Sequence, residues 1–583
     1  LIKGNIMSDQ TDHTPSLQHP LQDATTTLKQ TFDPFGMVSS QINAQLAWLG
    51  HPREFIRAAD AFTSDLIKLT SQTVFRPLGL SEDEIHITND ADARFADPAW
   101  SKTVEWDLLK DWYLTITHRL QEFTLQTPGM SEHDRHTAAF WQRNWLNMAA
   151  PTNFFWLNPQ AMNKFMQTHG ESVARGLKNF VRDAQAQNIQ MVAPDAFKVG
   201  RDLGTTDGKV IFRNRLCELI HYTPTTEQVH QVPLLIITPW INKFYILDLT
   251  EKKSLVKHLT DQGFSVFIVS WKNPPAEMRD VRFDDYLLEG VHELVRVTTD
   301  FCKVPQLHLV GYCIGGTLVS TYMAWANKRF GADKMAVAHW TLFATLTDFS
   351  QPGEINIFID DKALDELEDL MSRKGYLDGA EMAASFRLLR SNSLIWNYWV
   401  SSYLLGEDLV PFDVLFWNVD ATRMPQAMHS YYLRQMYLHN NLVKPDALTI
   451  AGEPISLGRI QQDLYAVTAE EDHIAPWTTC YQIRKTVNPK TKVRFVRSTS
   501  GHILGIVNPP VNPPKRAYWV AEPSAKDSAQ DWLAKAEKNP GTWWADWIKW
   551  LTPRTGPMVK AYPATTRKYP ALADTPGTYV LEK

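Results

Sequence analysis

At 583 residues, 44% hydrophobic and 21% charged, the chain is long enough for two sizeable domains and has the balance of a globular protein rather than a disordered or collagenous one. Lys plus Arg number 59 against 64 Asp plus Glu, and the formal charge of −5 gives no bulk electrostatic reason to bind nucleic acid or anionic lipid. Four cysteines (Cys217, Cys302, Cys313, Cys480) with no CxxC pair exclude a disulfide framework and a structural zinc site, and suit a reducing cytoplasm.

In chain order, residues 1–31 are polar and lack an export signal's apolar stretch; they are expected to be disordered, with 1–6 ahead of Met7 read as leader sequence. From about 32 to 190, apolar residues recur at helical spacing, as in WDLLKDWYLTITHRLQEF (106–123) and HTAAFWQRNWLNMAA (136–150). After Asp195 the texture changes to short β-branched runs: KVIFR (209–213), PLLIIT (233–238), SVFIVSW (265–271), LHLVGY (307–312), LYAVTA (464–469) and KVRFVR (492–497). Helical segments separate most of the later runs, which argues for the α/β class, a mostly parallel sheet covered on both faces. Between 342 and 464 the alternation lapses into Trp/Tyr-rich helical runs such as LIWNYWVSSYLL (394–405), too long for a plain loop. The expected organisation is therefore a helical N-terminal domain, 1–194, followed by an α/β catalytic domain, 195–583, with a helical cap inserted at about 345–462. No apolar run reaches the roughly 18 residues of a membrane span, and the 21 Trp and 27 Phe are read mainly as core.

The first chemical signal is LHLVGYCIGGTLVSTYMAW (307–325), an apolar strand running through Gly311-Tyr312-Cys313-Ile314-Gly315 into a helical pattern. This is the strand-turn-helix context of the nucleophile elbow G-x-S-x-G, with Cys313 in the serine position. A helix N-terminus supplies a backbone N–H for an oxyanion and a field that favours thiolate. Taken alone, the segment also suits a small buried cysteine at a tight turn, the commoner place for a free cysteine. The partners that decide the matter follow in order: LYAVTAEEDHIAPW ends a strand with Glu470, Glu471, Asp472 and His473, and VRFVRSTSGHILG follows the next strand with His502. Nucleophile, acid, histidine is the α/β-hydrolase order. His473 stands as a secondary candidate beside Asp472. His133 and His136 read as a solvated helix face, so no metal is implied.

These residues resemble the polyhydroxyalkanoate synthases, specifically the class I type that makes poly(3-hydroxybutyrate)-like polyester. GYCIGGT (311–317), PWINKFYILDL (239–249), SWKNP (270–274), DDYLLEGV (284–291), NSLIWNYW (392–399), PFDVLFWNVDATRMP (411–425), EDHIAPW (471–477), SGHILGIVNPP (500–510) and GTWWADW (541–547) all look like family blocks. APTNFFWLNP (150–159) and DARFADPAW (92–100) extend the likeness to about residue 90. The resemblance implies an α/β-hydrolase fold, with Cys313 as the acyl-carrying nucleophile, His502 as the base and Asp472 as the third member. The N–H groups of Ile314 and Ile241 are expected to form the oxyanion hole. The implied substrate is (R)-3-hydroxyacyl-CoA, mainly 3-hydroxybutyryl-CoA, the thioester being the substrate so that no cofactor is needed. Arg390 and Arg516 lie where family members bind coenzyme A, Lys515 being able to share the role of Arg516, and Leu504 stands at a pocket position that is small in many short-chain members. The partners implied are the growing polyester and its granule surface, a second subunit in a homodimer and granule-associated proteins, all in the cytoplasm. Conventional nucleotide loops are absent: there is no GxGxxG and no GxxxxGKS. Two rivals stay open, a cysteine thioesterase of the same fold and a catalytically silent granule-coating protein.

Overall fold

The computed structural model describes residues 33, 35–75, 92–186 and 188–583; the expectation for 1–31 lies outside the described residues. The chain divides into two compact units, 1–88 with 114–145, and 89–113 with 146–583.

The larger unit is built on an 11-stranded sheet. Its strands are β1 (Gly208–Arg213), β2 (Cys217–Tyr222), β3 (Leu234–Ile237), β4 (Val266–Trp271), β5 (Leu307–Tyr312), β6 (Val337–Phe343), β7 (Asp463–Ala469), β8 (Val493–Ser498), β9 (Ala517–Ala521), β10 (Glu537–Pro540) and β11 (Ala573–Asp574). The order is β10-β9-β8-β7-β6-β5-β3-β4-β2-β1-β11. The inner strands from β8 to β4 pair in parallel, and antiparallel strands flank them on both sides. Each run read as a strand from the sequence forms one; β2, β6, β9, β10 and β11 are additional.

The inner strands are apolar at nearly every position because both faces are covered. On β3, Leu235 and Ile237 enter one apolar layer while Leu234 and Ile236 enter the other. The chain order β5, helix Ile314–Phe330, β6 then places the turn after β5 at the carboxyl edge of the sheet, where α/β sites gather.

Between β6 and β7 lies the inserted cap, with helices Asp361–Lys374, Gly379–Leu389, Asp413–Val419 and Gln426–Tyr432, and π-helical turns at Asn392–Trp396, Trp399–Leu404 and Leu433–Leu438. Helix Glu171–Ala186 packs on it through Gly176, where an added Cβ would stand 1.9 Å from the Tyr403 carbonyl oxygen. Tyr403 donates to Asp183 Oδ2 at 2.8 Å, Trp399 Nε1 to the Asn153 carbonyl at 2.9 Å, and Asn147 Nδ2 to Ser391 Oγ at 3.2 Å. The helical segments beyond 145 are thereby part of the same compact unit as the sheet.

In the smaller unit, helices Ser39–Gly50 and Pro52–Phe75 are described. Asp33 accepts from the Met37 and Ser39 N–H groups at 2.6 Å in the turn that leads into the first helix. Trp48 stacks on Phe123 with ring centroids 4.3 Å apart, and Asp65 pairs with Arg119. Ile42, Leu46, Leu49, Ile56 and Ile67 are exposed. No helix among the described residues is long and apolar enough to cross a membrane.

Candidate active site

The turn after β5 is strained where a nucleophile elbow requires it. Cys313 has φ 53° and ψ −126°, a region that non-glycine residues adopt only when their surroundings enforce it. The enforcement is visible on both sides: a Cβ on Gly311 would lie 2.5 Å from Gly316 Cα, one on Gly315 2.6 Å from the Ile237 carbonyl oxygen, and one on Gly316 2.0 Å from Thr345 Oγ1. Only glycine lets β5, the helix and the strand beside them approach this closely. Cys313 N–H donates to the Phe343 carbonyl at 2.9 Å, which leaves Sγ at the helix N-terminus. Cys217, Cys302 and Cys480 are buried, and burial raises their thiol pKa values; Cys313 is partly accessible.

His502 follows β8 and Asp472 follows β7, the neighbouring parallel strand, so the two loops emerge side by side. His502 Nδ1 is 2.7 Å from Asp472 Oδ2, both side chains being buried. The other carboxylate oxygen, Oδ1, accepts from the Ile474 and Ala475 N–H groups at 2.9 and 2.8 Å. With Nδ1 engaged by Asp472, Nε2 is the ring nitrogen left free, and the imidazole feels the charge of Cys313. Burial lowers the His502 pKa, but the charges of Asp472 and Cys313, with the hydrogen bond His502 makes to Asp472, leave it well above the ordinary value. His473 behaves in the opposite way: burial, helped by the positive charge of Arg390, pushes it down to about 4, so it is neutral near pH 7.

The His502 loop is held from beneath. Tyr312 stacks on the imidazole and donates from its hydroxyl to the His502 carbonyl at 3.3 Å. Trp543 and Trp544, from the GTWWADW block, donate their indole N–H groups to the Gly505 and Ile506 carbonyls at 2.9 and 3.0 Å. On β8, Arg497 lies between the Trp477 and Trp519 rings, 5.1 and 4.2 Å from their centroids, and pairs with Glu470 at 3.1 Å.

The remaining candidates lie in segments that meet here. The Ile314 N–H opens the elbow helix, and Ile241 sits in the loop after β3; neither N–H donates a hydrogen bond among the described residues. Arg390 is exposed and acts electrostatically on His473. Arg516 is half-buried, donates to the Leu504 carbonyl and feels the charge of Glu471. Leu504 is itself half-buried and Lys515 is exposed. His133 and His136 form no metal group, and none occurs among the described residues.

Sequence reading missed two cap tyrosines. Tyr432 and Tyr437 are buried and meet edge to face with ring centroids 5.4 Å apart, and both feel the charge of Cys313. Burial raises both phenol pKa values, so they stay neutral donors. Phe349 meets Tyr437 edge-on at 4.8 Å. The motif SYYLRQMYL (430–438) signals an aromatic helix, but only the fold turns it toward the elbow.

Residues 91–259 match the family described as poly-beta-hydroxybutyrate polymerase (PhaC) N-terminus, and residues 233–509 match the alpha/beta hydrolase fold family. A poly(3-hydroxyalkanoate) polymerase from Methylorubrum extorquens is 36% identical over 544 residues, covering 92% of this chain and 88% of the relative. The poly(3-hydroxyalkanoate) polymerase subunit PhaC of Cupriavidus necator is 37% identical over 499 residues, covering 84% and 83%. Among solved structures, a monoacylglycerol lipase from Paleococcus ferrophilus is 12% identical with a TM-score of 0.31, covering 50% of this chain and 91% of that one.

Proposed function

The chain belongs to the poly(3-hydroxyalkanoate) polymerase family, and from that premise we propose that it polymerises short-chain (R)-3-hydroxyacyl-CoA, releasing CoA, through an acyl group carried on Cys313. The observation that carries this reading is the buried, hydrogen-bonded Asp472–His502 pair, electrostatically coupled to a cysteine on a strained elbow. His502 takes the Cys313 proton, the thiolate adds to the thioester carbonyl, and the developing oxyanion is met by the Ile314 and Ile241 N–H groups. Collapse of the adduct expels CoA thiolate, which takes the proton from the imidazolium. The exchange of one thioester for another is nearly isoenergetic, so the acyl group stays activated.

His502 then removes the proton from the 3-hydroxyl of the next unit, and the alkoxide attacks the acyl-Cys313 carbonyl to form the ester and free the thiolate. Asp472 holds the imidazole and offsets its charge. Tyr432, Tyr437 and Phe349 supply apolar cover and neutral hydroxyls over the elbow, which favours an alcohol over water as acceptor. Arg390 and Arg516, on the rim of the same loops, suit the phosphates of coenzyme A. The enzyme works, in this reading, as a homodimer through the cap, on the surface of cytoplasmic polyester granules and among granule-associated proteins.

Incubation of the purified protein with (R)-3-hydroxybutyryl-CoA tests it. The expected result is stoichiometric free CoA with insoluble polyester, identified by gas chromatography of the precipitate. CoA with soluble 3-hydroxybutyrate would make the protein a thioesterase, and no CoA release would make it a silent coat protein.

A further inference from the structure

The loop after β3 and the cap segment 417–423 are bonded to each other residue by residue. Thr422 donates its hydroxyl to the Trp240 carbonyl and its backbone N–H to the Ile241 carbonyl, the latter at 3.1 Å. Asn242 and Ala421 form an antiparallel bridge. Trp417 Nε1 donates to the Lys243 carbonyl at 2.7 Å. Lys243 Nζ pairs with Asp420 at 2.9 Å, with the two side chains only 4% and 8% exposed. Tyr245 donates to the same carboxylate at 2.9 Å, Lys583 Nζ lies 3.2 Å from it, and Lys243 also donates to the Glu582 carbonyl at 3.0 Å. A buried ion pair with its spare hydrogen bonds filled on both sides keeps its geometry, because separating the charges would leave each unpaired in an apolar surrounding.

The peptide plane turns this network into a device for aiming one N–H group. The Trp240 carbonyl and the Ile241 N–H belong to the same planar trans peptide and point in opposite directions. Fixing the carbonyl oxygen with the buried Thr422 hydroxyl therefore fixes the direction of the Ile241 N–H, and the bond at the Ile241 carbonyl fixes the next plane.

We propose that Thr422, backed by the Asp420–Lys243 pair, is a positioning residue that aims the Ile241 N–H at the reacting carbonyl, so that the oxyanion hole is complete only while cap segment 417–423 is seated on the loop after β3. The inference rests on the assignment of Ile241 in the reading above. It ties a segment more than a hundred residues away in sequence from the nucleophile to the charge that develops in the transition state, without contact between Thr422 and substrate.

Three readouts test it in the full chain. Thr422→Val keeps the shape of the side chain and removes the hydroxyl; kcat for CoA release is expected to fall about 10- to 100-fold, with KM unchanged. Thr422→Ala, which also lacks the hydroxyl, is expected to match it, and Thr422→Ser to recover most of the rate. Alkylation of Cys313 by iodoacetamide, which needs the thiolate but no oxyanion hole, is expected to proceed at the wild-type rate in all three. Wild-type kcat in Thr422→Val, or an equal loss of kcat and alkylation, would overturn the positioning role. Cys313→Ala run alongside reads the underlying assignment: CoA release persisting there overturns both, whereas its loss there with wild-type kcat in Thr422→Val overturns the positioning role alone.

Discussion

Asp472 meets His502 Nδ1 at 2.7 Å with one carboxylate oxygen and receives two backbone N–H groups on the other, so the turn at 472–475 holds it independently of the histidine. The ring is thereby oriented with Nδ1 toward Asp472. A carboxylate anchored in this way can orient the base, offset its charge, or do both, and the two roles separate in kinetics.

If Asp472 matters mainly when the incoming hydroxyl is activated, Asp472→Asn still loads an acyl group on Cys313 while elongation slows severely, whereas His502→Gln lowers loading itself by about 10²- to 10⁴-fold. Mass spectrometry of the acylated enzyme after brief exposure to substrate separates the two. Equal loss of loading in both variants would show that Asp472 acts chiefly by orienting His502.

Cys313→Ala is expected to release no CoA and Cys313→Ser only a trace, since a hydroxyl is a poorer nucleophile and its ester a poorer acyl donor. Substantial polymer from the alanine variant would remove Cys313 from the chemistry.

The raised pKa of His502 makes a statement about stability with a definite sign. Its folded value lies above the ordinary 6.5, so the stabilisation is fully present below about pH 6.5 and is lost as pH rises through the folded value. Asp472→Asn removes the largest of the opposing charges and should flatten this alkaline loss. Urea midpoints measured across pH 6 to 9 give the comparison; parallel curves for the two proteins would refute it.

Gly176 bears on how the cap is held. A Cβ there falls 1.9 Å from the Tyr403 carbonyl oxygen, and Gly176→Ala is expected to cost about 1–3 kcal/mol by forcing helix Glu171–Ala186 off the cap. Deletion of the residues up to about Asp195 removes the same contacts and should impair polymer formation. Full specific activity and normal granule localisation of the truncated protein would contradict this.

Leu504 is half-buried in the His502 loop, with its carbonyl bonded to Arg516. Four- to six-carbon monomers are expected to dominate the product, and Leu504→Ala to raise the share of longer units without abolishing activity, because one or two methylenes are worth only about 1–3 kcal/mol. Copolymer composition from mixed substrates, read beside the thermal midpoint, decides whether the side chain lines the pocket or only packs behind the loop.

Six of the eleven strands, the elbow turn and the chain order of Cys313, Asp472 and His502 were legible in the sequence because each is encoded locally. A strand buried on both faces must be apolar at successive positions, as Leu234–Ile237 is, and a turn in which strand and helix backbones nearly touch must carry glycine at 311, 315 and 316. Five strands escaped notice, among them the central β6, whose VAHWTLF mixes polar with apolar residues, and the edge strand β10, EKNP, which has no apolar pattern. The contacts of the cap were equally hidden, since Tyr432, Tyr437 and Thr422 owe their positions to a chain that leaves the sheet after β6 and returns at β7. Sequence determined the reactive groups and the strand ends that carry them. Only the tertiary structure decided which hydroxyls, indoles and buried charges hold those groups, because such bonds join residues far apart in the chain and leave no periodicity by which to read them.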